Sequence, residues 1–182
     1  AQLLSETDKV TPKIAVNILR NKEGLNNAKI GYGNEKALNQ LLAHHSVVFQ
    51  PNKRMVWVSS NPYQLGEFVA YQLDSVFASS NKKISTLSLP EFLISKDTFQ
   101  YSESYLNYEK FRVEKKEIQD IIQANNILSI ENINQFISLN PDYWEVYYYV
   151  GKYYYENKFY RASLNEFEKA LKVIINMTKE TN

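Results

Sequence analysis

The chain has no cysteine. That absence excludes a thiol nucleophile, a disulfide and a thiolate metal site within these 182 residues. Histidine is almost as scarce, with only His44 and His45, side by side. Two adjacent side chains cannot share a direction in a helix or in a strand, and no further ligands stand at the offsets of a metal site. No metal and no cofactor is expected. Charge of one sign is missing too: 21 basic residues face 20 acidic ones. Nothing in that balance drives binding to nucleic acid or to an anionic membrane. No apolar run approaches the ~18 residues of a membrane span, and "AQLLSETDKV" has neither the charged nor the apolar region of a signal peptide. A soluble chain of the cytoplasm or periplasm is expected, with the compartment left open. Catalytic loops are missing as well. "GYGNEK" lacks the preceding strand and the Lys-Ser/Thr ending of a phosphate loop, and Ser46, Ser59 and Ser60 lack a G-x-S-x-G setting.

What is present is aromatic: fourteen Tyr and nine Phe. Tyr buries a ring and keeps a polar tip, which suits half-buried and contact surfaces. "TPKIAVNILRNKEG" predicts a helix with Thr11 as N-cap, Pro12 at its first position and Gly24 as its stop. "EKALNQLLAHH" predicts a second helix, capped by Asn34 and striped by Leu38, Leu41 and Leu42. At Ser46 the pattern changes. "SVVFQ" and "MVWVSS", separated by "PNKR", predict a β-hairpin with apolar residues on both faces, hence a covered sheet. "NPYQLGEFVAYQLDSVFAS" then predicts a turn and a helix carrying Leu65, Phe68, Val69, Leu73, Val76 and Phe77. "SSNKK" (79–83) is the candidate boundary, and "ISTLSLP" reads as an extended crossing segment. From about Asp97 onward the chain reads as helical, with Ser129 capping one helix and Asn140-Pro141 opening the next. The mixed-sign run "EKFRVEKKE" reads as a solvated helix face.

One local pattern is more specific. With Trp144 as first position, Gly151 is eighth, Tyr154 eleventh, Phe167 twenty-fourth and Ala170 twenty-seventh, and Pro141 stands just before. This spacing resembles a tetratricopeptide repeat, in which small residues let two antiparallel helices approach and aromatics fill the gap. Ser163 departs from the usual Ala. Residues 129–140 are the candidate second helix of an earlier, degraded copy. A self-standing solenoid takes roughly three repeats, so the pair is expected as an appendage. Its possible interaction surface is Trp144, Tyr147, Tyr148, Tyr154 and Tyr155, for a protein or peptide partner.

The segment from "GLNNAKIGYG" through "HHSVVFQP", "MVWVSSNPYQLGEFVAY" and "QLDSVF" resembles the C-terminal part of a family of N-terminal-nucleophile hydrolases. These are the acyl-coenzyme A:6-aminopenicillanic acid acyltransferase-like proteins, relatives of the choloylglycine hydrolases; bacterial members carry a tail similar to residues 140–173. The resemblance implies an α+β fold: residues 1–80 as the C-terminal portion of an αββα sandwich, 81–99 as connector, and 100–182 as a helical region with the tetratricopeptide-like pair at 140–175. It implies acyl transfer or hydrolysis at linear amide or thioester bonds, by an N-terminal Cys whose own amino group is the base. This chain has no such Cys. It is therefore expected to lack the catalytic residues, to supply sheet and pocket wall, and to have as partner an upstream portion of the same precursor. His44 and His45 are then pocket-contact candidates. A hairpin alone makes a poor sheet, which favours a part of a larger enzyme over a stand-alone relative. The alternative function is a non-catalytic helical-repeat module that binds a protein or peptide.

Overall fold

The computed structural model describes residues 2–5, 9–78 and 86–179. They form a mixed α and β chain that divides into two compact units: 1–21 with 38–100, and 22–37 with 101–182. The boundary expected at 79–83 falls on residues outside those described.

The first unit is built on the predicted hairpin. Strand β1 (Val47–Gln50) and strand β2 (Met55–Ser59) are joined by a 3-10 turn at Pro51–Lys53, and Arg54 closes it in the left-handed region (φ 51). A third antiparallel strand, β3 (Phe68–Gln72), completes the order β1-β2-β3. Pairing of Val48 with Trp57 and of Trp57 with Ala70 puts these three on one face. That face is the core: Val48, Met55, Trp57, Phe68 and Ala70 pack with Val16, Ala15 and Leu19, and with Leu89 and Ile94. The three helical residues come from Pro12–Leu19, the helix numbered α2 because a four-residue α1 (Gln2–Ser5) precedes it. Thr11 caps α2 through the Ile14 N–H (3.3 Å) and Pro12 opens it, as predicted. The helix stops at Leu19 and not at Gly24. Arg20 caps it, and Gly24 instead lies against Ile30, where a Cβ would come within 2.8 Å of the Ile30 side chain.

One predicted helix is absent and another is cut short. Residues 35–45 form turns, and Leu38 and Leu42 are exposed. Two asparagines divert the backbone: Asn34 Oδ1 accepts from the Lys36 N–H (2.9 Å) and Asn39 Oδ1 from the Leu41 N–H (2.9 Å). Such local bonds compete directly with helix formation, and Leu41 ends in the left-handed region (φ 52). Residues 68–72 are β3, leaving only Leu73–Phe77 as helix α3. Phe68, Val69 and Tyr71 suit a pleated surface, and the free edge of β2 outweighs a coincidental helical spacing. The described part of "ISTLSLP" runs extended along β3: Ser88 bridges Tyr71, and the Leu89 N–H donates to Ala70 O (2.9 Å).

The second unit holds α4 (Glu103–Gln123), α5 (Ile130–Leu139), α6 (Trp144–Glu156) and α7 (Tyr160–Lys179). Ser102 and Ser129 cap α4 and α5 by accepting from the Tyr105 and Asn132 N–H groups. Asn140 and Pro141 do not open α6; Tyr143 occupies its N-cap position. Phe111 of α4 stacks on Phe136 of α5 (5.4 Å) and meets Tyr143 edge-on (5.9 Å). Helices α6 and α7 form an antiparallel hairpin around Lys158 (φ 65), with Tyr155 beside Tyr160 and Tyr148 beside Phe167. Gly151 makes the approach possible: a Cβ there would stand 2.7 Å from the Phe167 ring. Ser163 and Ala170, the small positions of α7, are buried.

Gly151→Ala should therefore lower stability by about 1–3 kcal/mol, the usual cost of overpacking, read as the urea midpoint of the full chain. An unchanged midpoint would show that the hairpin does not depend on this contact.

Candidate functional site

His44 and His45 are both exposed and lie outside any helix or strand. Among the described residues neither side chain makes a hydrogen bond or ion pair, and no group of three or more His, Cys, Asp or Glu could hold a metal ion. Ser46 and Ser59 are structural. The Ser46 N–H donates to Ser59 Oγ (2.7 Å) and the Ser59 N–H to Ser46 O (2.9 Å), which closes the open end of the hairpin.

The most constrained polar feature of the first unit is Arg20, which no motif singled out. Its guanidinium is buried and lies over the Phe68 ring (5.4 Å to the centroid). Nε donates to Gln64 O (3.1 Å), and Nη2 to Gly66 O (2.7 Å) and Ser95 O (2.9 Å). Burial lowers its pKa, and Asp97 acts in the opposite direction. The loop it pins is unusual: Tyr63 (φ 43) and Gln64 (φ 70) are consecutive non-glycine residues in the left-handed region. At Gly66 a Cβ would lie 2.4 Å from two backbone carbonyl oxygens, so only glycine fits. Asn39 adds a further tie, donating to Tyr63 O (3.0 Å). The Gln64 carboxamide oxygen is buried with no donor among the described residues.

The opposite face of the sheet carries Val47, Phe49, Val56, Val58, Val69 and Tyr71, by the same register. All six are apolar or aromatic, yet Val47 is 44% and Phe49 63% exposed. The hairpin was expected to be covered on both faces. One face is, and the other is not covered over Val47 and Phe49.

In the second unit the five aromatic candidates separate. Tyr148 (40% exposed) and Tyr155 (56%) point outward, one heptad apart. Trp144 is half-buried and its indole N–H donates to Glu35 Oε1 (3.2 Å). Tyr147 is half-buried and donates to Pro141 O (2.9 Å); Tyr154 is half-buried against Phe159. Tyr160, Leu164 and Leu171 of α7 are exposed as well, and Tyr155 meets Tyr160 edge-on (5.8 Å). On the same helix Glu166 is buried, with Lys169 on one carboxylate oxygen (2.6 Å) and no donor among the described residues on the other. Burial raises the phenol pKa of Tyr147 and Tyr154, with Glu166 adding to both. Tyr143 is pushed up furthest, by burial and then by Glu145 and Glu35.

No helix among the described residues is long and apolar enough to cross a membrane. No family model, no curated protein and no solved structure matches the chain.

Arg20→Met should cost about 2–4 kcal/mol, because three or more buried carbonyls lose a charged donor, and Arg20→Lys should not restore it, since one ammonium cannot reach the same set of acceptors. Equal unfolding midpoints for wild type and Arg20→Met would contradict this. For Tyr143 the sign follows from a raised folded-state pKa. The unfolded phenol ionises near pH ~10 while the folded one stays protonated, so stability is intact below ~10 and falls as pH rises above it. Melting temperature should drop between about pH 9 and about pH 11, and Tyr143→Phe should flatten that slope; an identical slope in the variant would refute the assignment.

Proposed function

We propose that the chain is the C-terminal scaffold of an N-terminal-nucleophile acyltransferase or amidohydrolase acting on linear amide or thioester bonds. In this reading the nucleophile and its oxyanion donors lie in an upstream portion of the same precursor. The observation that carries it is the two-sided sheet. One face packs on α2, and the other carries six apolar or aromatic residues, of which Val56 is buried while Val47 and Phe49 are 44% and 63% exposed. A sheet apolar on both faces belongs in the middle of a layered core. The αββα sandwich supplies such a layer: a second sheet packed face to face about 10 Å away. The Arg20-pinned loop 60–66 then serves as rigid wall at the end of that layer, and His44 and His45 stand at the mouth of the hairpin as pocket contacts.

A second reading is a helical-repeat interaction module, and one observation favours it. Tyr148, Tyr155, Tyr160, Leu164 and Leu171 are all exposed on the α6–α7 hairpin, and Tyr155 meets Tyr160. The close approach at Gly151 and the buried Ser163 and Ala170 support a tetratricopeptide-like geometry for that hairpin, with α4 and α5 as a degraded preceding pair. The two readings are compatible, since a scaffold can end in an interaction tail.

The test is the native gene product, isolated with an antibody against residues 140–173 and characterised by intact mass and N-terminal sequencing. The scaffold reading expects these residues within a product longer than the 21.3 kDa chain, whose mature N terminus is Cys and which hydrolyses a penicillin, a conjugated bile salt or an acyl-amino acid. The 182 residues alone should turn over none of these. A native product of 21.3 kDa with no such cysteine would rule the enzyme reading out.

A further inference from the structure

Residues 22–37 belong to the helical unit although the chain on either side of them belongs to the strands. They enter it as a loop that is already shaped by its own bonds. The Gly24 N–H donates to Ala28 O (2.9 Å), and the Ala37 N–H to Asn34 O (3.1 Å). The buried Asn34 carboxamide donates to Ile30 O (2.6 Å) and accepts from the Lys36 N–H (2.9 Å).

The helices add a different kind of contact. Asn140 pairs with the backbone of Tyr32 from both sides: Oδ1 accepts from the Tyr32 N–H (3.0 Å) and Nδ2 donates to Tyr32 O (2.8 Å). A side-chain amide thereby offers what a neighbouring strand would. Ile30, 2% exposed, packs with Ala37 against Trp144 and Val173. Gly31 and Gly33 flank Tyr32, both at positive φ. A Cβ on Gly31 would sit 2.5–2.6 Å from the backbone and Cβ of Tyr143, and one on Gly33 would sit 2.8 Å from the Tyr108 ring. Main-chain hydrogen bonds and a pocket for an apolar side chain are how a folded surface recognises a peptide segment, and the close approach at Gly31 and Gly33 adds a demand for glycine.

We propose that the face made by Tyr108, Asn140, Tyr143, Trp144 and Val173 is a recognition site for an Ile-Gly-Tyr-Gly loop. It is filled in cis by residues 22–37, and it accepts the same segment from a second copy of this chain once the tethered copy is unseated. The occupant is identified by the segment already seated there. The site is a property of the helical unit and does not rest on the hydrolase reading. Tethering holds the cis segment at an effective concentration in the millimolar range, so it excludes a free copy from the wild-type chain. The local bonds of Asn34 lower the ordering cost of a free copy.

The probe is a fluorescein-labelled peptide of residues 22–37, titrated by anisotropy into the full chain carrying Gly31→Val, which unseats the tethered copy. Binding should be saturable and at least about tenfold tighter than to wild type. Adding Asn140→Ala should weaken it by about tenfold or more, and a peptide bearing Gly31→Val should not bind. No binding to a variant that keeps its helical circular dichroism, or equal binding with and without Asn140→Ala, overturns the proposal. If Gly31→Val loses its helical signal, hydrogen exchange on the full-length Asn140→Ala chain decides. Residues 25–37 should exchange faster while 144–156 keep their protection; loss in both segments together, or in neither, overturns the proposal.

Discussion

The strand-containing unit depends on the register of β2. Its pairing with β1 and β3 sets Val48, Trp57 and Ala70 on the α2 side, and Phe49, Val56 and Tyr71 on the other. A slip of one residue would exchange the two sets. In most half-buried sheets the exchange would expose the core, and that penalty fixes the register. Here both sets are apolar, so alternation alone discriminates poorly. Other contacts make the choice. The Trp57 indole N–H donates to Phe92 O (2.9 Å), and Ser46 and Ser59 lock the open end of the hairpin. Arg20 draws residues 64–66 and 95 together, which sets where β3 begins.

The helical unit solves a different problem, that of a chain rich in tyrosine. Its rings are too large to be buried all round, and their hydroxyls must be satisfied when they are buried. The structure sorts them. Tyr153 donates to Leu128 O and accepts from the Leu128 N–H, and Tyr149 accepts from Gln119. Lys115 lies over the rings of Phe111 and Tyr149 while its ammonium meets Glu145 (2.7 Å). What the mixed-sign run on α4 suggested as a solvated face is thus partly a contact with α6. Tyr148 and Tyr155, whose hydroxyls have no such partner among the described residues, stay exposed.

The sequence made the hairpin legible because its turn chemistry and β-branched strands are local signals. The α6–α7 pair was legible because Gly151, Phe167 and Ala170 stand at fixed spacings. What was lost depends on distant partners. Residues 68–72 satisfy a helical spacing, and only the edge of β2, nine or more residues away, makes them a strand. "EKALNQLLAHH" has a helical stripe, and the carboxamides of Asn34 and Asn39 break it with bonds no periodicity reveals. Arg20 lies inside a segment that reads as helix up to Gly24, and its acceptors arrive 44 to 75 residues later. The pairing of Asn140 with Tyr32 spans 108 positions. A clue was present in "GYG", whose two glycines mark a backbone that must be approached closely, although their partner could not be named. The candidate histidines drew attention by rarity, which carries no geometry.

The functional account turns on whether the face of Val47 and Phe49 is solvent or interior in the native protein. An exposed aromatic on a flat apolar strand invites aggregation, and a second sheet laid over it removes that hazard. The absence of cysteine from these residues permits a direct measurement. Phe49→Cys introduces one thiol at a known position, and its rate of modification by a soluble disulfide reagent can be followed by mass spectrometry of the peptide that contains it. The account predicts rapid modification in the 182-residue chain and at least about hundredfold slower modification in the full-length native product, as expected when labelling waits on local opening. Equal rates in the two would contradict it, and would leave the outer face of the sheet as surface.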